Sequence, residues 1–177
     1  MDPEFYKEWH RLEDEAREML ERRPTRNGLR PECHAVVLPS FEDCSAYTLM
    51  VPGFNSPGAP HGVKRVWRRR SDLAKFNGPV IRLRYGTKLE PTIEEHEVPL
   101  SPESVSEILV RAADIRVPAR IPVNGVGTDG VTHVLHFGEL FLASRFEWWG
   151  DPPSGWEALK ELLEMTASVV EGGLTGR

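Results

Sequence analysis

One stretch of the sequence matches the spacing of a cofactor-binding motif. Gly125 to Gly130 reads Gly-Val-Gly-Thr-Asp-Gly, a GxGxxG pattern whose glycines let a pyrophosphate approach the N-terminus of a following helix. Here the glycines lead instead into Val131 to Phe137, where the alternation of residues predicts a strand. The stretch therefore predicts a hairpin turn at Thr128-Asp129-Gly130, and we expect the protein to bind no cofactor.

The histidines and cysteines do not have the spacing of a metal site. His133 and His136 are three residues apart on the predicted strand, so their side chains point to opposite faces of a sheet. Cys33 and Cys44 are the only cysteines, too few for a disulfide framework or a zinc centre made of cysteines. We expect two reduced, partly buried thiols and no bound metal.

Glu94 and His96 form the one acid–base pattern. They share a face of the strand predicted from Thr92 to Val98, and a carboxylate beside an imidazole is the arrangement of a general base with its orienting partner. The sequence contains no G-x-S-x-G motif and no Cys-His signature that would supply a nucleophile. A hydrolase with this His/Glu site is therefore the second alternative function.

Basic residues are concentrated in the middle of the chain. From His61 to Lys88 there are nine Lys or Arg residues and one acidic residue, whereas from Leu89 onward there are fifteen acidic and six basic residues. Two strands predicted in the basic segment, Val63 to Arg70 and Val80 to Tyr85, interleave arginines with aromatic residues, as nucleic-acid-binding surfaces do. A nucleic-acid-binding module using the arginines of residues 64–84 is the first alternative.

The overall charge weighs against nucleic acid as the partner. The net charge is −5 and the isoelectric point is near 5.7, whereas nucleic-acid-binding domains are usually strongly basic. Ion pairs with Glu90, Glu94, Glu95 and Glu97 are a simpler use of the arginines.

Three tryptophans lie close together near the C-terminus. Trp148 and Trp149 are adjacent on a predicted strand, so one of them faces away from the core unless both layers of the fold cover the pair. Trp156 follows the turn at Asp151-Pro152-Pro153. Exposed tryptophans are frequent anchors of protein interfaces. The candidate partner-binding residues are Trp148, Trp149, Trp156, Arg68, Arg69 and Arg70.

The periodicity of the chain predicts the elements that hold these residues. Helices are predicted at residues 3–22, from the Ser101-Pro102 cap to Val117-Pro118, and at residues 155–171, where Gly172-Gly173 ends the last helix. Strands are predicted at residues 33–38, 46–51, 63–70, 80–85, 92–98, 131–137 and 141–149, with a weak edge strand at 121–123. Hairpin connections predict an α+β fold: a single domain (residues 1–177) with an antiparallel sheet of six or seven strands and three helices packed on it.

Four further segments have specific predictions. Residues 52–62 form a long loop rich in proline and glycine, and residues 71–78 form a polar connection. Ser154 and Glu157 have the spacing of a capping box for the last helix. Residues 1–5 include Asp-Pro-Glu-Phe, which adjacent cloning sites encode, so they are interpreted as a cloning remnant.

Residues 127–163 have a recognisable order: an Asp-Gly turn, an alternating strand, Phe146-Glu147-Trp148-Trp149-Gly150, two prolines and a helix led by Trp156. This order resembles the C-terminal part of many small bacterial proteins of unassigned function. Some of them are similar to immunity proteins encoded beside polymorphic toxins. The resemblance implies a small binding protein without a cofactor, and it transfers no functional residues.

These observations favour a non-enzymatic module that binds another protein, and the resemblance adds an immunity protein that neutralises a bacterial toxin. The sequence has neither a signal peptide pattern nor an apolar run of about 18 residues, so we expect a cytoplasmic protein with no membrane partner.

Overall fold

The computed structural model describes residues 3–53, 56–76, 89–118, 130–138 and 143–176, and these ranges form four helices and six strands. The predicted strands at 80–85 and 121–123, and the glycines that precede Gly130, lie outside the described residues. In chain order the elements are α1 (Pro3–Glu21), β1 (Leu29–Pro39), β2 (Cys44–Pro52), β3 (His61–Trp67), α2 (Arg69–Phe76), β4 (Ile93–Pro99), α3 (Pro102–Asp114), β5 (Val131–Phe137), β6 (Ser144–Trp149) and α4 (Glu157–Thr175).

The six strands form one antiparallel sheet in the order β4-β3-β2-β1-β5-β6. The first four strands follow one another as a meander, and β5 returns to pair with the other side of β1. The predicted α+β class and antiparallel sheet are confirmed, with one helix more than the three that were predicted. Among the described strands, β4 and β6 lie at the two edges of this sheet.

Helices cover both faces of the sheet. On one face, α1 buries Leu12, Ala16 and Leu20 in a core that includes Val36 and Val134. This stripe has helical spacing, which is why residues 3–22 were predicted as an amphipathic helix. On the other face, α4 packs its apolar side in a second core that contains Leu49, Leu135 and Trp148 and also part of α3. No helix in the described ranges is both long and apolar enough to cross a membrane.

His34 fixes the end of α1 to the sheet. Its Nε2 lies 2.9 Å from the carbonyl oxygen of Leu20, and its Nδ1 lies 2.8 Å from the Thr48 hydroxyl. A carbonyl only accepts hydrogen bonds, so Nε2 carries the proton and the hydroxyl donates to Nδ1. The Leu20 carbonyl belongs to the last turn of the helix and has no partner within the helix. Complete burial lowers the pKa of His34 to about 3, so the imidazole stays neutral.

Helix α2 corrects two predictions. The strand expected to reach Arg70 ends at Trp67, and the segment expected to be a polar connection is helical from Arg69 to Phe76. The reason is the buried carboxylate of Asp72, which accepts hydrogen bonds from Trp67 Nε1 at 2.9 Å and from the Thr92 amide at 2.8 Å. Lys75 also donates to it, at 2.9 Å. These bonds hold the helix against β3 and the start of β4. The spacing of apolar residues in the sequence does not indicate such contacts, so the helix was not predicted.

The start of α4 also differs from the prediction. The helix begins at Glu157 with Trp156 as its N-cap residue, so Ser154 does not cap it. Gly155 has a φ of 87°, which lies outside the right-handed helical region, so the helix cannot begin at Ser154. The Glu157 carboxylate does reach back, but it accepts from the Gly155 amide, at 2.8 Å. The capping-box prediction was therefore wrong.

The end of α4 differs as well. The helix continues through Gly172 and Gly173 to Thr175. A Cβ placed on Gly173 would lie 2.9 Å from Val98 Cγ2, closer than carbon atoms pack. Gly173 therefore allows the helix to approach β4, and the prediction that the two glycines end the helix was wrong.

The predicted start of α3 is confirmed. Ser101 is the N-cap residue, its hydroxyl accepts from the Ser104 amide at 3.1 Å, and Pro102 occupies the first helical position. The apolar residues Val105 and Ile108 of this helix are buried.

Candidate functional site

The three candidate tryptophans lie in two different environments. Trp148 and Trp156 are buried on the α4 face of the sheet, with ring centroids 6.1 Å apart at 89°. Because side chains alternate along β6, Trp149 points to the opposite face, where 40% of its surface is exposed. Trp148 and Trp156 are therefore core residues that a partner does not reach, and Trp149 is the accessible member of the set.

Trp149 has a fixed position despite its exposure. Its indole lies directly against Gly130, where any Cβ would overlap the ring. Gly130 is in turn held by Ser40, whose amide and hydroxyl donate to the Gly130 carbonyl at 3.0 and 2.9 Å. The Gly130 amide donates to the same hydroxyl at 3.2 Å. Trp149 is thus packed beside the turn that connects β1 and β2.

The β1–β2 turn presents a second exposed aromatic side chain. Phe41 is 67% exposed, the largest exposure of any large hydrophobic residue in the described ranges. Sequence reasoning missed this residue. The signal for it was an aromatic residue within a polar turn between two predicted strands, where burial was not required.

The same turn binds two of the candidate arginines. Asp43 accepts from the Arg70 amide at 3.2 Å and forms an ion pair with Arg68 at 3.4 Å. Glu42 forms an exposed ion pair with the Arg70 guanidinium at 3.3 Å. Arg68 and Arg70 therefore lie on one side of the turn, and Trp149 lies beside Gly130 at the end of β6.

Arg69 has a different role from its neighbours. Its guanidinium forms an ion pair with Glu13 at 2.5 Å and lies over the rings of Trp9 and Trp67, at 5.3 and 5.9 Å from their centroids. This side chain connects α1 to β3 and is largely buried. Phe41 lies in the β1–β2 turn, Arg68 and Arg70 bind this turn, and Trp149 is linked to it through Gly130. We name these four residues the turn-end surface.

The fold pairs the basic side chains of residues 61–76 with carboxylates. Each Lys or Arg in this described range has a carboxylate partner: Lys64 with Glu171, Arg65 with Glu95, Arg68 with Asp43 and Glu94, Arg69 with Glu13, Arg70 with Glu42 and Lys75 with Asp72. The expected pairing with the acidic strand is confirmed for Arg65 and Arg68. Arg82 and Arg84 lie outside the described residues.

The Glu94–His96 pair is open to solvent. Both side chains lie on the edge strand β4, with 3.8 Å between His96 Nε2 and the Glu94 carboxylate. The hydrogen bond from Arg68 is the main cause that lowers the pKa of Glu94. A carboxylate that is held by a guanidinium and has a lowered pKa is a weak base, so this geometry does not favour proton abstraction.

His133 and His136 point to opposite faces of the sheet, as their spacing on the strand predicted. His133 stacks on Trp148, with 5.2 Å between the ring centroids, and His136 lies beside His34 on the opposite face. Cys33 and Cys44 are buried and unpaired with each other, and burial raises their pKa values to about 12 and about 11. Within the described ranges, no cluster of three metal-ligating side chains occurs.

A groove of about 490 Å³ lies between α3 and the sheet. Phe137, Phe146 and Leu109 make most of it apolar, and Arg30 and Glu32 form an ion pair of 2.9 Å at its lining. The carboxylate of Glu32 is thus already paired, and the groove offers an apolar volume rather than a reactive group.

Comparisons of this chain with models of protein families, with curated proteins and with solved structures found no match.

Proposed function

We propose that the protein is a non-enzymatic module whose partner is another protein, which docks on the turn-end surface. The observation that carries this proposal is the exposure of Trp149 and Phe41 beside a turn that hydrogen bonds fix to the sheet. Exposed aromatic groups are the residues that most often supply binding energy at protein interfaces. A ring that is already held in place loses little conformational entropy when a partner covers it.

Arg68 and Arg70 suit the rim of such an interface. Arginine is enriched in protein interfaces, and both guanidinium groups remain partly exposed while Asp43 and Glu42 hold them. The pairing reduces the general attraction of the surface for polyanions. It leaves directional N–H donors for a protein partner.

We further propose that the partner is a bacterial toxin and that the protein acts as its immunity protein. The resemblance of residues 127–163 to immunity-like proteins supports this, and Trp149 belongs to that stretch. The net charge of −5 suits a basic partner, because complementary charge accelerates association.

The test is capture of the partner with matched tryptophan and valine variants. Tagged protein is incubated with lysate of the source organism at two salt concentrations, with and without nuclease, and bound proteins are identified by mass spectrometry. We expect one stoichiometric protein that survives nuclease. Its affinity should fall roughly 30-fold for Trp149→Ala, the loss typical of an interface anchor.

Val110→Ala is the matched control, because Val110 is 60% exposed but lies on α3, away from the turn-end surface. This variant should bind like the wild type. Trp148→Ala should instead lose about 3–5 kcal/mol of stability, because Trp148 is in the core. Unchanged binding by Trp149→Ala would contradict the proposed surface. Loss of all bound material on nuclease treatment would favour the nucleic-acid alternative.

A further inference from the structure

The two edge strands of the sheet, β4 and β6, differ in how readily an additional strand can pair with them. In an antiparallel ladder, alternate residues of an edge strand direct their N–H and C=O groups towards the neighbouring strand, and the others direct them outward. In β4, hydrogen bonds at both ends fix this alternation. The Arg68 amide donates to the Thr92 carbonyl at 3.0 Å, and the Leu100 amide donates to the Pro60 carbonyl at 2.9 Å. Even-numbered residues of β4 therefore face β3, and odd-numbered residues face outward.

The outward positions of β4 resist pairing. Pro99 is one of them and has no N–H to donate. Glu95 and Glu97 are two others, and Arg26, from the segment between α1 and β1, binds both carboxylates. Charged side chains and proline are the features by which natural sheets protect an edge from further strands.

The outward positions of β6 differ from those of β4 because none of them is a proline, although Arg145 and Glu147 are charged. Gly150 donates to the Val131 carbonyl at 2.8 Å, and the β5–β6 register continues this pairing at alternate residues. Arg145, Glu147 and Trp149 therefore direct their N–H and C=O groups outward. Among the described residues, none forms a backbone hydrogen bond with these groups, and no proline interrupts the strand.

The side chains at these positions leave the backbone accessible. Arg145 and Glu147 bind each other at 2.5 Å, and each binds α1, through Glu21 at 3.0 Å and Arg17 at 2.8 Å. These ion pairs hold both side chains over the α1 face of the sheet, so neither has to be displaced by a strand that approaches the edge.

The open edge is continuous with the turn-end surface, because both include Trp149. We propose that an extended segment of the partner protein adds to the sheet beside β6. It forms backbone hydrogen bonds with Arg145, Glu147 and Trp149 and places an apolar side chain against the Trp149 indole. This inference rests on the proposed function and specifies its mode of binding, in which main-chain bonds give affinity and the pocket beside an anchor gives specificity.

The first measurement is amide hydrogen exchange of the isolated protein. The amides of Phe146 and Trp148, which face β5, should exchange slowly, and those of Arg145, Glu147 and Trp149 should exchange fast. Protection of these three amides in the isolated protein would show that the edge is already covered, and the proposal would be wrong.

The second measurement uses displayed random peptides of about ten residues as the probe, selected on the wild-type protein. Selected peptides should slow exchange at the three outward amides. Glu147→Pro removes the outward N–H without removing a bond to β5, and Glu147→Ala is its matched control, because it loses the same ion pairs and keeps the N–H. We expect roughly tenfold weaker peptide binding for the proline variant than for the alanine variant.

Arg145→Pro and Arg145→Ala repeat the comparison if Glu147→Pro does not fold, and the exchange data require no variant. Failure to select any peptide, or equal binding by the proline and alanine variants, would overturn strand addition. If strand addition is overturned in this way but Trp149→Ala still abolishes capture of the partner, the proposed protein-binding function stands without strand addition. A wild-type dimer that Glu147→Pro dissociates would identify a second copy as the occupant of the edge, which also overturns this proposal.

Discussion

Two adjacent glycines in α4 allow a strict test of how closely this helix packs on the sheet. A Cβ added to Gly172 meets no atom within 4 Å. A Cβ added to Gly173 meets Val98 Cγ2 at 2.9 Å, Val98 Cβ at 3.3 Å and Leu100 Cδ2 at 3.4 Å. Val98 is fully buried and β-branched, so its side chain has no rotamer that moves it away cheaply.

The expected effects have opposite signs. Both replacements by alanine gain roughly 0.5–1 kcal/mol of helix propensity. Gly173→Ala also overpacks the contact with Val98, which costs about 1–3 kcal/mol. Since the propensity gain is common to both variants, the difference between them is the overpacking cost. For a chain of this size, that difference corresponds to roughly 2–12 °C in the melting temperature.

Urea unfolding and thermal melting of the two variants measure this difference. Gly172→Ala should be more stable than the wild type and Gly173→Ala less stable. Val98→Ala should cost less in the Gly173→Ala background than alone, because it removes the overlap. Equal stabilisation by both glycine replacements would refute the close approach of α4 to β4.

Two further predictions concern buried polar groups. The pKa of His34 is about 3 in the folded state, so only the unfolded chain takes up this proton between pH 6.5 and 3. Stability from this residue is complete above pH 6.5 and falls by about 2 kcal/mol between pH 7 and pH 5, and urea titrations of His34→Gln should show a shallower fall. Asp72→Asn should lose about 2–4 kcal/mol, because Thr92 and the Trp67 indole both donate to the carboxylate. Asp151→Asn, at a 98% exposed side chain, should change stability by less than about 0.5 kcal/mol.

The spacing of residues along the chain correctly predicted those helices and strands whose bounds are set by residues within the element itself. The strand at Val131–Phe137 has the predicted bounds, and α1 ends one residue before its predicted end. In both, the spacing of apolar residues is enough, because each element has one face towards a core. The start of α3 was predicted for the same reason, since Ser101 and Pro102 act on their own helix.

The elements that were missed depend on contacts between distant residues. Helix α2 is held by a hydrogen bond from Thr92, 20 residues away, and nothing in its own sequence indicates that the Asp72 carboxylate is buried. Gly173 lies within a helix because Val98 requires a residue without a side chain there. Glycine alone does not distinguish that requirement from a helix end.

The candidate surface was predictable in part. Alternation along β6 required the adjacent tryptophans to point to opposite faces of the sheet, and the packing of the folded chain leaves Trp149 as the exposed one. The grouping of Trp149 with Phe41 and Arg70 was not predictable. It depends on the pairing of β5 with β1, two strands that are separated by about ninety residues.

Because the surface depends on this pairing, it can be tested by replacing Ser40, without changing any of the side chains that are proposed to bind the partner. The Ser40 hydroxyl accepts from the Gly130 amide and donates to the Gly130 carbonyl, so it holds the glycine on which Trp149 packs. Ser40→Ala keeps the backbone bond to Gly130 and should cost about 1 kcal/mol of stability. If a fixed indole is the anchor, the variant should also bind the captured partner several-fold more weakly, whereas Ser106→Ala, on the exposed side of α3, should not. Unchanged binding by Ser40→Ala would mean that the position of Trp149 does not depend on this turn.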